Sequence, residues 1–334
     1  MQEAIELFFD WVGRNENVLS GLVAIAVLIS LLWATVRRVS RNSMSRRRKS
    51  HKPTLVRTSA PQEIRYCRTV DDIRIAYAIT GSGEPIVRSL GWFTNLEMEW
   101  SSEVGRAFWE RMSRNHQLIR YDGRGIGLSE KTTKFSAETR LRDLEAVIDA
   151  AGVDRFTLTA TSEGCRTAIR YASQNPERVS HLVLYGAAVP PRGDSEYQEQ
   201  RRAYLLLIST GWARPSHRRL FTDLFLGQSS SQEEVDYFQA MQAASASAEV
   251  AAAYFRSLGE SESGFELASK ITTPTLVLHY REDQMCPFSW GQALAAEIPN
   301  ARFIPLEGDC HWLLMSHGRG EEYVAAIEEF IQTT

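Results

Sequence analysis

From Glu63 onward, short apolar runs alternate with amphipathic stretches, and this alternation narrows the choice of architecture more than any other property of the chain. Ile64–Arg68 and Ile73–Ile79 flank Asp71-Asp72 and read as a hairpin. Pro85–Leu90, Gln117–Tyr121, Phe156–Ala160, His181–Tyr185, Thr275–Leu278 and Ala301–Pro305 have the length and apolar character of buried strands. Helical spacing separates them: Val104–Arg114, then Ala137–Ala150 with Leu141, Leu144, Val147 and Ile148 on one face, a stretch from Arg166, and Glu321–Ile331. A strand–helix alternation of this kind gives a mostly parallel α/β sheet with helices on both faces. Such sheets bind ligands at the carboxyl ends of their strands. Residues 190 to about 268 break the pattern, starting with Pro190-Pro191 and continuing as helical stretches that are Ala-rich over Ala240–Tyr254. Lying between two strands, this block is expected to form a helical cap over the strand ends. The expected domain runs over 61–334.

The N-terminal part has a different character. Residues 1–17 read as a short amphipathic segment (Ile5, Leu7, Phe8, Phe9, Trp11, Val12) suited to a membrane surface. Val18–Val36 carries no charge, and as a helix at ~1.5 Å per residue it spans ~28 Å, close to the hydrocarbon thickness of a bilayer. Trp33 suits the interfacial belt. A cleaved signal peptide wants positive charge ahead of the apolar run, whereas Glu3, Glu6, Asp10 and Glu16 outnumber Arg14 there. A signal or a buried core helix remains an alternative to a transmembrane helix. Residues 37–60 read as a basic linker, with Arg37, Arg38, Arg41, Arg46, Arg47, Arg48, Lys49 and Lys52 and no acid over 37–52. These charges place the C-terminal domain on the cytoplasmic side of a single-pass anchor, and contact with anionic lipid is a further possibility. The whole chain has a net charge of −3, so removing those eight charges leaves the remainder near −11. An acidic globular part argues against nucleic acid as a partner. Four scattered cysteines, with no C-x-x-C pair, point to reduced thiols rather than a disulfide or zinc scaffold. Nothing in the sequence fixes the oligomeric state.

Arg155–Cys165 reads as strand, tight turn and helix start, with Ala160-Thr161-Ser162-Glu163-Gly164 at the turn. Small residues around a serine permit a strained turn that lifts the hydroxyl clear of the sheet at a helix N-terminus. By itself the same pattern suits a helix N-cap. Two later strand ends change the weight of that motif. Thr275–Leu278 leads into Arg281-Glu282-Asp283, where Asp283, with Glu282 as the fallback, has the position of an orienting acid. Ala301–Pro305 leads into Glu307–Trp312, where His311 has the position of a base. Ser, Asp and His in that order, each just past a strand, match the division of labour of acyl transfer. The imidazole takes the serine proton, and the carboxylate fixes its tautomer and stabilises imidazolium.

With those residues in place, the region from about Ile64 to Ile331 resembles the α/β-hydrolase superfamily. Arg120–Ser129 is similar to the loop after the family's fourth strand, which implies loop-fixing rather than catalytic roles for Asp122 and Arg124. Gly91–Glu97, Glu138–Asp143, Ser162-Glu163-Gly164 and Leu224–Gly227 resemble, more narrowly, the hydrolase-like domains fused to class III adenylate cyclases and to some helix-turn-helix regulators. No cyclase or DNA-binding domain is expected here. The resemblance implies catalytic Ser162, Asp283 and His311, an oxyanion hole from the backbone N–H groups of Trp92 and Glu163, and no metal or organic cofactor. The implied substrate is an ester, thioester or lactone of an apolar small molecule. The family's usual His-Gly-x after the third strand is Leu90-Gly91-Trp92 here.

Glu163 is the second departure. A carboxylate aimed at the oxyanion opposes the charge to be stabilised, whereas one turned toward Arg166 or Arg170 is harmless. Two alternatives therefore accompany hydrolysis: a ligand-binding sensor or signalling module with little turnover, and the cofactor-free haloperoxidase-like activity of the same triad. Ser at the nucleophile position disfavours the dehalogenase and epoxide-hydrolase branches, which use Asp. Cys165, Cys286 and Cys310 near the site are expected to be small buried fillers. Trp92 and Trp312, next to the hole and the base, are expected to wall the pocket.

Overall fold

The computed structural model describes residues 62–334 apart from 192, 213 and 261–263. The segments read as surface helix, transmembrane helix and basic linker lie outside these residues. Among the described residues, no helix is long and apolar enough to cross a membrane.

Eight strands form one sheet: β1 (Glu63–Arg68), β2 (Arg74–Thr80), β3 (Glu84–Ser89), β4 (His116–Asp122), β5 (Phe156–Thr161), β6 (Val179–Tyr185), β7 (Thr275–Tyr280) and β8 (Arg302–Leu306). Their spatial order is β1-β2-β4-β3-β5-β6-β7-β8. The expected hairpin supplies the two antiparallel pairings, β1 with β2 and β2 with β4, and all pairings from β4 to β8 are parallel. Period-2 alternation sends neighbouring side chains to opposite faces. On β6, Leu182 and Leu184 enter one hydrophobic cluster while Val183 and Tyr185 enter the other. On β7, Val277 enters the first and Leu276, Leu278 and Tyr280 the second. Each such aliphatic side chain, withdrawn fully from water, contributes about 1.5–3 kcal/mol.

Helices α1 (Leu96–Ser101), α2 (Glu103–Met112), α3 (Ala137–Ala151) and α4 (Gly164–Gln174) lie between the strands up to β6. Four more, α5 (Ser195–Gly211), α6 (Pro215–Leu226), α7 (Gln232–Ser245) and α8 (Ala248–Glu260), fill the interval between β6 and β7, before a 3₁₀ turn at Phe265–Lys270. Helix α9 (Phe288–Glu297) precedes β8, and α10 (Arg319–Thr333) follows it.

Three details differ from the periodicity. Helix α1 has only six residues, too few for a repeat to show, and is started by the Asn95 side chain accepting from the Met98 N–H. Helix α9 follows Pro287 and buries Trp290, Gly291 and Leu294, so it lacks a polar stripe along which to recognise it. The Ala-rich stretch is two helices. Ala246 is extended (φ −149°, ψ 147°), and the Ser247 hydroxyl accepts from the Val250 N–H to start α8.

Connections leave β3 and β5 in opposite directions along the sheet, so the crevice beyond their carboxyl ends is a topological switch point. In register, Ser89 pairs with Ala160, Ala160 with Leu184, and Leu184 with Val277. The loops after β3, β5, β6 and β7 consequently emerge side by side.

Candidate active site

Ser162 stands between β5 and α4 with φ +54°, a left-handed conformation that costs a non-glycine residue about 1–2 kcal/mol. Neighbouring hydrogen bonds hold it there. Its N–H donates to the Tyr185 carbonyl at 3.0 Å, and its carbonyl accepts from Ala188 N–H at 3.1 Å and Cys165 N–H at 3.2 Å. Gly164 completes the turn, because a Cβ there would strike the Leu90 carbonyl. The elbow and the loop after β3 are thus in direct contact. Neither Trp92 N–H nor Glu163 N–H donates to another backbone carbonyl among the described residues, and both flank this contact.

The structure brings the three predicted side chains together. The Ser162 Oγ lies 3.0 Å from His311 Nε2, and His311 Nδ1 lies 2.7 Å from Asp283 Oδ2. These bonds assign the tautomer: Nδ1–H donates to Asp283, leaving Nε2 to accept from the serine hydroxyl. All three residues are buried. The other oxygen of Asp283, Oδ1, accepts from the backbone N–H groups of Met285 (2.8 Å) and Cys286 (2.9 Å), which fixes the carboxylate plane. Glu282, the fallback acid, is exposed. Gly186, at φ +51°, follows β6 at the point where a Cβ would crowd the His311 ring and Asp283.

Several neighbours were not legible as site residues. His279 points its Nε2 at the Cys286 carbonyl (2.9 Å) and lies 3.5 Å from Asp283 Oδ2. Burial lowers its pKa, which favours the neutral ring in that position. The His311 loop is held from the cap: the Phe225 carbonyl, at the end of α6, accepts from His311 N–H at 2.9 Å and Trp312 N–H at 2.8 Å. Asp309 secures the same junction by accepting from the Gln228 N–H at 2.8 Å and from Arg319 at 3.2 Å.

Glu163 takes neither expected orientation. Its Oε1 accepts from the hydroxyl of Tyr254, on α8, at 2.6 Å, while Arg166 is engaged elsewhere. The cap covers the α4 N-terminus, so the available donor is a cap tyrosine rather than an arginine on the next turn. Burial, opposed by the Tyr254 hydrogen bond, raises the Glu163 carboxyl to about 7. Asp122 and Arg124 hold loops: Asp122 accepts from Thr94, Leu96 and Leu128, and Arg124 pairs with Asp71 and Asp143.

A cavity lies under the cap, lined by Ser162, Glu163, Trp92, Phe255, Met285 and Trp290 among others. Trp92 therefore walls it as expected, centred in an aromatic cluster with Phe93, Phe221 and Phe225. Trp312 lines a separate cavity with His311, Arg88 and Tyr323. It packs edge-on to Phe225 and Phe238, so its role is to support the base loop. Cys165, Cys286 and Cys310 are buried, and burial raises all three thiols, Cys310 to about 12, which keeps them protonated fillers. Among the described residues, no group of three or more His, Cys, Asp or Glu has the arrangement of a metal site.

Comparison with known proteins gives a consistent picture. Residues 85–318 match the family model described as "alpha/beta hydrolase fold". A 2-hydroxy-6-oxononadienedioate/2-hydroxy-6-oxononatrienedioate hydrolase from Cupriavidus pinatubonensis is 27% identical over 235 residues, covering 65% of this chain and 80% of that protein. A non-heme chloroperoxidase from Kitasatospora aureofaciens is 26% identical over 278 residues, covering 79% of this chain and 98% of the relative. Among solved structures, an esterase from Exiguobacterium antarcticum superposes with TM-score 0.70 at 23% identity, covering 80% of this chain and 99% of that one, a likeness of fold.

Proposed function

The chain belongs to the alpha/beta hydrolase fold family and is an enzyme of that kind; from that premise we propose that it hydrolyses an ester, thioester or lactone of a small molecule through Ser162, His311 and Asp283. The observation that carries the reading is the unbroken chain of contacts from Ser162 Oγ through His311 to Asp283 at 3.0 and 2.7 Å. In the first half-reaction Ser162 Oγ attacks the carbonyl carbon while His311 Nε2 removes the hydroxyl proton. Asp283 stabilises the imidazolium so formed. The N–H groups of Trp92 and Glu163, with the N-terminus of α4 behind them, meet the oxyanion. Collapse of the intermediate breaks the bond to the leaving group, which takes the proton from His311. A water, deprotonated by the same imidazole, then attacks the acyl-enzyme and releases the acid and Ser162. The aromatic and aliphatic lining supports a small substrate with an apolar part.

The sensor alternative draws on Leu90 in place of the family's usual His, on the resemblance to regulator-fused domains and, most directly, on Glu163. Its carboxyl is engaged by Tyr254 and is largely protonated below pH 7, so hydrolysis is the better-supported reading. The finer kinship with hydrolase-like domains of cyclases and helix-turn-helix regulators remains part of the proposal, and its mark would be a ligand retained without turnover. Residues 18–36 are proposed as a single membrane anchor on the strength of their length and lack of charge. Replacement of Ser162 by Ala tests the central reading: esterase turnover falls by about 10³-fold or more if it is right. Unchanged turnover refutes it.

A further inference from the structure

Helix α5 turns one face toward the cavity that holds Ser162. Tyr197, Gln200, Arg201 and Tyr204 recur at i, i+3, i+4 and i+7, and all four line it, while 198, 199, 202 and 203 are exposed. Three of the four have partners in the protein. The Tyr197 hydroxyl accepts from Arg166 Nη2 at 2.7 Å, and Gln200 Nε2 donates to the Tyr204 hydroxyl at 3.3 Å. Arg201 differs. Its Nε and Nη1 are shielded from solvent, and among the described residues neither has a hydrogen-bond acceptor. The guanidinium packs against α8, in the space that a Cβ at Gly259 would take. Arg201 is half-buried overall, but a shielded donor without an acceptor is costly, so these two donors call for a counter-charge that the described residues do not provide.

Among the described residues, the charged groups Arg166, Glu163 and Asp194 near this face are already engaged. Arg166 donates to the Ala188 and Leu258 carbonyls and to Tyr197. Glu163 accepts from Tyr254. Asp194 accepts from the Trp290 indole N–H at 2.8 Å and the Tyr197 N–H at 2.9 Å. Much of the remaining lining is apolar, with Trp92, Phe255, Leu258 and Met285 prominent.

We infer that the substrate carries a carboxylate in addition to its scissile carbonyl, and that Arg201 is the residue that selects it. The inference rests on Ser162 as nucleophile and sharpens the substrate class: an apolar chain with its carbonyl at Ser162 and an anionic group at Arg201. A guanidinium matches a carboxylate with charge-assisted N–H···O bonds in fixed planar geometry, which an ammonium matches in charge alone.

Monomethyl adipate and dimethyl adipate have the same chain and differ by one negative charge. The full-length enzyme is expected to release methanol from the monoester with kcat/KM about tenfold or more above that for the diester, the scale of a hydrogen bond to a charged group. Arg201→Met brings that ratio to within about threefold of one, and Arg201→Lys keeps an intermediate ratio. Gly259→Ala, whose methyl displaces the guanidinium, lowers the ratio in the same direction. Equal constants in the wild type, or a preference that survives Arg201→Met, overturn the assignment. Binding is read separately by calorimetry on Ser162→Ala, where the monoester binds about tenfold or more tightly than the diester and Arg201→Met removes the difference. Selective binding without methanol release from either ester upholds the carboxylate site and counts against hydrolysis at Ser162. Release from both esters without discrimination upholds hydrolysis and overturns the carboxylate site.

Discussion

Asp283 has both of its oxygens committed, one to His311 and one to two backbone N–H groups, so an amide in its place cannot satisfy the same donors. Asp283→Asn is expected to leave Ser162 and His311 in place but reverse the tautomer, lowering kcat by about a thousandfold or more in steady-state assays. Glu163 makes a pH-dependent prediction. Its folded pKa, about 7, lies above the ordinary carboxylate value of 4.5, so the folded state holds the proton more tightly. The associated stability is fully present below pH 4.5 and is lost as pH rises through about 7, a total on the order of 3 kcal/mol. Urea denaturation across that window should show a decline in the wild type that is smaller in Glu163→Gln by about that amount. Ser162, Asp283 and His311 were legible because each follows a strand in the required order. Tyr254, the partner of Glu163, was not, since it comes 91 residues later on a helix whose placement the linear pattern does not set. Arg201 was not legible either, since a helical stretch does not reveal which of its residues face a cavity.

The end of α6 ties the cap to the base loop by accepting two backbone hydrogen bonds, from His311 and Trp312. Asp309 locks that junction through Gln228 and Arg319. Removing its carboxylate in Asp309→Ala should loosen the loop without touching the three reacting side chains. Hydrogen exchange at the His311 and Trp312 amides should speed up, and kcat/KM should fall by about tenfold, the equivalent of one charge-assisted hydrogen bond. Unchanged exchange at those amides would show that the cap does not order the base. The strands and long helices were legible from periodicity because each has one side to bury. The break at Ala246 was not, because alanine continues a helix readily and only the Ser247 hydroxyl marks the restart. Helix α9 was missed for the opposite reason, its sides carrying few polar residues.

For the molecule as a whole, the sheet order and the match over residues 85–318 agree on a hydrolase domain, and the uncharged run at 18–36 is proposed as an anchor. The full chain should float with vesicles in a density gradient and resist carbonate extraction, whereas a chain beginning after residue 60 should stay in the soluble fraction. Recovery of the full chain in the soluble fraction would remove the anchor from the account. Whether Ser162 is the nucleophile is read by a fluorophosphonate probe followed by peptide mass spectrometry. A single phosphonylated serine is expected at Ser162, absent in Ser162→Ala and formed far more slowly in His311→Ala. Ester turnover by an enzyme that takes no adduct at Ser162, or that keeps turning over once Ser162 is blocked, would contradict it.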